Sequence, residues 1–187
     1  DILLNAGVRA IIGCDQGGAI YEGREGLNTA KAQYATRTNR ERLRGTADEL
    51  LEGADVFIGL SVPGAVSVAG IEGMADDAIV FAMANPTPEV EPEDLPPGKV
   101  AVVATGRSDY PNQINNVLAF PGVFRGALDV HASSVSRAML VGAVRALARL
   151  TREPVPAEVL RAYGLDRLEF GPEYIIPKPF DPRLIVK

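Results

Sequence analysis

The sequence has little cysteine, histidine or aromatic content, with one Cys, one His and no Trp among its 187 residues. A single cysteine, Cys14, excludes an internal disulfide and fits a reducing compartment, so we expect a cytoplasmic protein. No apolar run reaches the ~18 residues of a membrane span and no signal-peptide pattern is present, so we expect no membrane segment. The formal net charge of −5 argues against a nucleic-acid platform, which needs a basic face.

Four short apolar runs predict the strands of a sheet. Each run is nearly continuous in hydrophobicity, as expected when helices cover both faces of a parallel sheet. The runs are Arg9–Cys14, Asp55–Leu60, Ala78–Ala84 and Val100–Ala104. Because helical segments separate the later runs, the order predicts an α/β fold with right-handed crossovers.

Helix signals surround these runs. Thr46 and Glu49 have the spacing of a capping box, and Gly53 is placed to end the helix that they begin. A crossover helix is predicted within Ala65–Met74, and the clearest helix in the sequence is predicted over Ser134–Arg152.

Two other segments are less regular. The stretch Asp15–Gly45 contains no convincing strand and is expected to be a glycine-rich loop followed by a helix. The proline-rich segment Glu173–Arg183 is expected to be an extended arm that packs on the rest of the protein. We therefore divide the chain into a nucleotide-binding domain, residues 1–152, and a C-terminal arm, residues 153–187.

The G-x-G-x-x-G turn that opens a dinucleotide-binding sheet is missing. The chain begins at Asp1 rather than Met, and Asp1–Gly7 has the pattern of a helix end. The first predicted strand ends at the acid Asp15, where such domains contact ribose hydroxyls; a loop-capping aspartate is the alternative. We expect a Rossmann-like, doubly wound, mainly parallel sheet in a piece of a longer polypeptide, with the first strand and the glycine turn missing from this chain.

Polar or turn-forming residues follow three of the predicted strands, at the edge where open α/β sheets bind ligands. The segments are Ser61–Gly64, Asn85–Glu89 and Thr105–Asn116. The amides of Asn85, Asn115 and Asn116 can both donate to and accept from a carboxylate, hydroxyl or carboxamide. Local turn capping is the alternative for each of them.

Other polar groups give weaker signals. His131 lies near Ser133 and Ser134, but no residue orients the histidine as a base. The acidic run within Glu89–Asp94 lacks the glycines of a cation-binding loop, so we interpret it as a solvated turn. Cys14, at the end of an apolar run, is interpreted as a small buried hydrophobe.

Five segments together resemble one family, the malic enzymes, and specifically their C-terminal cofactor-binding domain in its short bacterial form. The segments are Cys14–Asn28, Ala54–Gly64, Asp77–Glu89, Ala104–Asp129 and Glu173–Arg183. The resemblance covers nearly the whole chain. It implies oxidative decarboxylation of malate to pyruvate and CO2, with NAD or NADP as hydride acceptor and Mg2+ or Mn2+ as the metal.

The resemblance also implies which residues bind the substrate. Asn85 matches an asparagine near both malate and the nicotinamide, and Asn115 with Asn116 matches a pair that holds the malate. Neutral amides of this kind can orient the substrate without adding a competing base.

For the cofactor, the resemblance places Asp15 beside the adenosine ribose. The turn formed by Ser61, Val62 and Pro63 lies along the cofactor, and Asn85 lies near its nicotinamide. An acid at Asp15 favours NAD over NADP because it repels a 2′-phosphate.

The catalytic Tyr and Lys of the family, and its carboxylate metal ligands, lie upstream of the matching region. We therefore assign no catalytic and no metal-binding residue to this chain, and we expect the chain alone to be inactive. The expected partners are malate, the upstream part of the enzyme and a second copy in a homodimer. Two alternatives stay open: a noncatalytic nucleotide-binding or interaction module of the same fold, and a dehydrogenase acting on amino acids.

Overall fold

The structure, a computed structural model, describes residues 2–186. It has an α/β arrangement of short strands and helices. The strands are β1 (Cys14–Asp15), β2 (Gly18–Ala19), β3 (Val56–Gly59), β4 (Ala78–Ala82) and β5 (Val100–Thr105). The helices are α1 (Ile2–Asn5), α2 (Thr29–Ala35), α3 (Ala47–Leu50), α4 (Val68–Glu72), α5 (Phe120–Asp129), α6 (Arg137–Leu150), α7 (Ala157–Ala162) and α8 (Arg183–Val186). Short 3-10 helices cover Pro92–Asp94 and Asn116–Leu118.

The main sheet is three-stranded and parallel, with the order β3-β4-β5. Val80 of β4 lies opposite Phe57 of β3 and Val103 of β5. Parallel strands need crossover connections, and α4 lies in the connection between β3 and β4 as predicted. The apolar runs in these three places are therefore confirmed as strands, consistent with a Rossmann-like domain.

One face of this sheet carries the core. Val80 is fully buried, and it clusters with Leu51, Val66, Ile71 and Met74 from the segments around α3 and α4. Burying a side chain of this size contributes roughly 1.5–3 kcal/mol. This packing holds β3 and β4 against the helical segments, and it therefore determines where the loops after these strands begin.

The predicted helix ends are confirmed by hydrogen bonds. The Thr46 hydroxyl accepts from the Glu49 N–H at 3.3 Å, and the Glu49 carboxylate accepts from the Thr46 N–H at 2.7 Å. Gly53 follows α3 in the left-handed region, with φ of 70°, a conformation that favours glycine. The helix predicted over Ser134–Arg152 is present as the shorter α6, Arg137–Leu150, and Ser136, which was not predicted as its cap, accepts from the Met139 N–H.

The predicted strand Arg9–Cys14 is wrong in extent and pairing. Only Cys14–Asp15 forms a strand, and it pairs antiparallel with β2, which also corrects the expectation that no strand would follow Asp15. The upstream backbone bonds to loops: the Ile11 carbonyl accepts from the Asn39 N–H at 2.8 Å, and the Gly13 carbonyl accepts from the Ile20 N–H at 2.7 Å. An apolar run indicates that a segment is suited to burial, but a strand also needs an adjacent strand to hydrogen-bond with its backbone.

The C-terminal region contains helix α7 followed by an irregular stretch, residues 175–182, that belongs to no helix or strand. Tyr174 is fully buried in this region. No helix within residues 2–186 is both long enough and apolar enough to cross a lipid bilayer. The division into a domain and an arm at residue 152 stays a prediction.

Candidate functional site

Three loops leave the carboxyl ends of the parallel strands β3, β4 and β5. Because the strands are neighbours and run in the same direction, the loops emerge at one edge of the sheet, the edge at which open α/β sheets bind ligands. The loop after β3 contains the turn Ser61–Gly64, the loop after β4 contains Asn85, and the loop after β5 leads to Asn115 and Asn116.

The first loop is an exposed tight turn. Ser61, Val62 and Pro63 are all exposed, and Val62 keeps 55% of its surface accessible. The turn closes through an Ala65 N–H that donates to the Val62 carbonyl at 3.2 Å. Its backbone and one apolar side chain therefore present a surface suited to a flat ring.

The second loop begins directly after a buried residue, Ala84. Asn85 is exposed, and the peptide bond between Asn85 and Pro86 is cis. Because Asn85 is exposed at the start of this loop, its side-chain amide can donate to and accept from a bound molecule.

Glu89 lies beneath both of these loops, and our interpretation of it as part of a solvated turn is wrong. It is only 1% exposed. Its Oε1 accepts from the Ser61 N–H at 2.7 Å and its Oε2 accepts from the Ala84 N–H at 3.0 Å. Backbone donors replace the water that the carboxylate loses on burial.

In the third loop, Asn115 and Asn116 are both exposed, and Asn115 also caps a short helix. The Oδ1 atom of Asn115 accepts from the Val117 N–H at 3.0 Å and so caps the 3-10 helix Asn116–Leu118. Local capping, the alternative considered for Asn115, is therefore present for its side-chain oxygen. The amide NH2 group is the part of the side chain suited to a carboxylate ligand. Asn116, the first residue of that 3-10 helix, is exposed.

Hydrogen bonds to the C-terminal region hold the third loop. Asn112 is 1% exposed. Its Nδ2 donates to the carbonyls of Val103 at 2.9 Å and Pro172 at 2.7 Å, and its Oδ1 accepts from the Ile175 N–H at 2.9 Å. Lys178 donates to the Pro111 carbonyl at 2.7 Å, and burial lowers the pKa of its ammonium group.

Asp15 lies apart from these loops, on the β1–β2 hairpin, which forms its own two-stranded sheet. Its Oδ1 accepts from Arg24 at 2.7 Å and from the Gly17 N–H at 2.9 Å, and its Oδ2 accepts from Lys31 at 2.5 Å. Hydrogen bonds from Lys31 and Arg24 hold the pKa of this carboxyl well below its usual range. Asp15 is therefore a paired anion at neutral pH.

A cleft of about 420 Å³ adjoins the hairpin. It is bounded by the glycines of the β1–β2 turn on one side and by the start of α3 on the other. Its lining includes Gly17, Gly18, Arg24, Gly45 and Thr46. Glycine-lined space beside an acid leaves room for a ligand to approach the backbone closely.

Cys14 and His131 both lie at the surface, which contradicts the interpretation of Cys14 as a buried residue. Cys14 is exposed rather than buried, because β1 lies in a two-stranded hairpin instead of a sheet covered by helices. His131 is exposed and has a φ of 50°; it remains without an assigned role. Across residues 2–186, no group of three or more His, Cys, Asp or Glu side chains is arranged to hold a metal ion.

Several residues that organise the site were not singled out from the sequence. They are Arg24, Lys31, Asn112 and Lys178, whereas Glu89 was named but interpreted as part of a solvated turn. A signal for Glu89 was present in Gly59, because glycine inside a strand often marks a close approach by another group. The partners of Asn112 lie up to 63 residues away in sequence, and no local pattern reports a contact at that distance.

Comparison with known proteins places this arrangement in a family. The family profile described as "Malic enzyme, NAD binding domain" matches residues 4–161. The chain is 54% identical over 177 residues to an NADP-dependent malic enzyme of Rhizobium meliloti. It is 48% identical over 184 residues to a bifunctional malic/malolactic enzyme of Bacillus subtilis.

A solved structure gives the same result. The crystal structure of an NAD-dependent malic enzyme from Thermotoga maritima superposes with a TM-score of 0.84 at 38% identity, over 99% of this chain and 45% of that one. The match to the Rhizobium enzyme includes 94% of this chain but only 23% of that enzyme, and the match to the Bacillus enzyme includes 98% of this chain but only 42% of that enzyme. The chain thus spans less than half the length of each of these proteins.

Proposed function

The chain belongs to the malic enzyme NAD-binding domain family, and on that premise we propose that it forms the NAD(P)-binding part of a decarboxylating malate dehydrogenase. The observation that carries the proposal is the meeting of an exposed turn, Ser61–Gly64, and an exposed amide, Asn85, at one sheet edge. Such an edge suits a nicotinamide dinucleotide.

We assign cofactor contacts to two places. Ser61, Val62 and Pro63 lie along the cofactor, with Asn85 near its nicotinamide end, and Asp15 receives the adenosine ribose beside the hairpin cleft. Bound NAD(P)+ supplies the hydride acceptor for C2 of malate. The fit of the chain to this group rests on the exposed backbone of the turn and on the glycine-lined cleft.

Substrate contacts come from Asn85, Asn115 and Asn116. Their amide groups can donate to the carboxylates of malate while remaining uncharged at every pH at which the fold is stable. Holding malate from its polar ends aims C2 at the cofactor, and this positioning lowers the barrier without a base from this chain.

The remaining parts of the reaction are proposed to come from elsewhere in the enzyme. A divalent ion, Mg2+ or Mn2+, held by ligands that we assign to the upstream part, would supply a Lewis acid for the keto oxygen, and we assign the catalytic acid and base to the same part. We further propose a cytoplasmic homodimer. The single cysteine of the sequence supports the reducing compartment.

The test uses the full-length polypeptide that carries this chain. We expect malate-dependent reduction of NAD+ or NADP+, followed by absorbance of the reduced nicotinamide, with release of one CO2 per hydride transferred. A protein that binds NAD(P)H by fluorescence titration but leaves malate unchanged, with either divalent ion present, would instead support the noncatalytic nucleotide-binding module. A protein that oxidises an amino acid and ignores malate would support the third alternative.

A further inference from the structure

Glu89, which lies in the loop after β4, connects the Ser61–Gly64 turn with the start of its own loop at Ala84, and the proposed function needs both segments. Its carboxylate spans the gap between them, since Oε1 bonds to the Ser61 N–H at 2.7 Å and Oε2 bonds to the Ala84 N–H at 3.0 Å. Its own carbonyl accepts from the Gly64 N–H at 2.9 Å. One residue thus binds both ends of the Ser61–Gly64 turn and the residue before Asn85.

Gly59 at the end of β3 leaves room for this carboxylate. A Cβ atom added to Gly59 would lie 2.4 Å from Cδ of Glu89, a distance at which one of the two groups has to move. Gly59 is the last residue of β3, and it pairs with Ala82 of β4. A glycine at this position therefore lets the carboxylate reach across the strand ends to both loops.

The hydrogen bonds that Glu89 accepts from the Ser61 and Ala84 N–H groups belong to a strong class. An ionised carboxylate that accepts from backbone N–H groups makes charge-assisted hydrogen bonds, about twice as strong as neutral ones. At 1% exposure, the competition from water is removed, so the geometry of the two loops is set by these bonds.

We infer that Glu89 is a positioning residue that sets the Ser61–Gly64 turn and Asn85 in one fixed relation for nucleotide binding. The inference rests on the proposed function, because it assigns the two loops to the same cofactor. Glu89 acts on the cofactor site through the backbone of Ser61 and Ala84.

The charge and the shape of Glu89 are both required. In Glu89→Gln one oxygen still accepts, but the other acceptor becomes an NH2 group that faces an N–H donor, so one of the two loops loses its bond. In Glu89→Asp both oxygens remain but are withdrawn by one methylene, so they cannot reach both donors together. Each variant releases one loop relative to the other while leaving the apolar core intact.

The test measures Kd and KM for NAD(P) and KM for malate in the full-length enzyme. For Glu89→Gln we expect the nucleotide constants to rise at least roughly tenfold, and KM for malate to rise as well because Asn85 also contacts the substrate. Leu51→Ala, a core variant chosen to lower Tm comparably, is expected to leave the nucleotide constants within twofold. Asp94→Asn removes an exposed carboxylate from the same segment and should match wild type.

The outcomes separate the two claims. Wild-type enzyme that binds no NAD(P) overturns the proposed function and this assignment with it. Wild-type enzyme that binds nucleotide, together with Glu89→Gln that binds it equally well, or with Leu51→Ala that weakens it as much, overturns the assignment alone. If Glu89→Gln gives no folded protein, Glu89→Asp is the deciding variant, and unchanged nucleotide constants in it overturn the assignment.

Discussion

Asn85 and Asn115 differ in what their side chains already do in the fold. Asn85 is exposed at the start of its loop, whereas Asn115 also caps a 3-10 helix. If both hold malate, Asn85→Ala and Asn115→Ala in the full-length enzyme each remove a charge-assisted hydrogen bond. We expect each variant to lose about 1.5–3 kcal/mol of transition-state stabilisation, so that kcat/KM for malate falls roughly 10- to 150-fold.

A capping variant provides the control for Asn115. Ser136→Ala removes the cap of α6, which costs about 1 kcal/mol of stability, and it should leave kcat/KM unchanged. Comparing Tm and kcat/KM in the three variants separates lost capping from lost substrate contact. Wild-type kcat/KM in both asparagine variants would show that the substrate assignment is wrong.

Asp15 carries a second prediction, on cofactor choice. If its carboxylate receives a free 2′-hydroxyl, Asp15→Ser should narrow any preference for NAD over NADP, because the repulsion of a 2′-phosphate is lost while Arg24 and Lys31 remain nearby. The measurement is the ratio of kcat/KM for the two cofactors. Glu22→Ser, which removes an exposed acid paired with Arg42, is the control, and an unchanged ratio in Asp15→Ser would contradict the ribose assignment.

The low pKa of Asp15 gives a prediction on stability. A carboxyl whose pKa is lower in the folded state stabilises the fold above its unfolded pKa, about 3.9, and this contribution is lost as the pH falls from there toward the folded pKa. Asp15→Asn should therefore lower the denaturation midpoint at pH ~7, and the gap to wild type should narrow below pH ~4. A gap that stays constant down to pH ~3 would mean that the ion pairs with Arg24 and Lys31 contribute nothing.

At the scale of elements, the sequence predicts what is local. The apolar runs at β3, β4 and β5 and the capping box of α3 are each encoded within a few residues, and all are confirmed. The run Arg9–Cys14 is also mostly apolar, but its backbone bonds to loop segments. Composition cannot distinguish these cases because pairing depends on which neighbour is present.

The same limit applies to the site. Turns and amides at strand ends, such as Ser61 and Asn85, follow from the strand predictions alone. Glu89 was misjudged because an acidic, proline-flanked run is usually solvated, and only the glycine at Gly59 indicated otherwise. The distant partners of Asn112 could not be predicted, since hydrogen bonds across some 60 residues leave no periodic signal.

Asn112 is expected to govern how the C-terminal region docks on the loop after β5. Asn112→Ala leaves the Ile175 N–H and the carbonyls of Val103 and Pro172 without this partner, and each unsatisfied buried group costs about 1–3 kcal/mol. With three such groups, we expect the free energy of unfolding to fall by at least roughly 3 kcal/mol and the Ile175 amide to lose protection in hydrogen exchange. Asn5→Ala, at an exposed amide, should change neither, and full protection at Ile175 in Asn112→Ala would contradict the docking role.

At the scale of the whole molecule, the three-stranded sheet is open on the side of β3. Within residues 2–186, β3 pairs with β4 alone, and Val56 and Ile58 remain 46% and 38% exposed. A parallel strand with apolar side chains is normally buried on both faces. In a doubly wound sheet ordered 3-2-1-4-5-6, the first strand lies beside the fourth, and we take β3, the first strand of the parallel set, as the fourth.

The last prediction follows from this open side. A polypeptide of residues 1–187 alone leaves the open edge of β3 and the apolar side chains of Val56 and Ile58 in water, so it lacks the burial that would contribute roughly 1.5–3 kcal/mol for each of these side chains. Losing these contributions removes much of a net stability of ~5–15 kcal/mol, so we expect no cooperative thermal transition from the isolated chain and a cooperative one from the full-length enzyme. The measurement is a thermal melt of both proteins by circular dichroism, with sedimentation to establish the monomer. A cooperative melt of a soluble, monomeric 1–187 chain without added peptide would mean that the edge of β3 is stable as it stands, and that the apolar surface at Val56 and Ile58 needs no neighbouring strand.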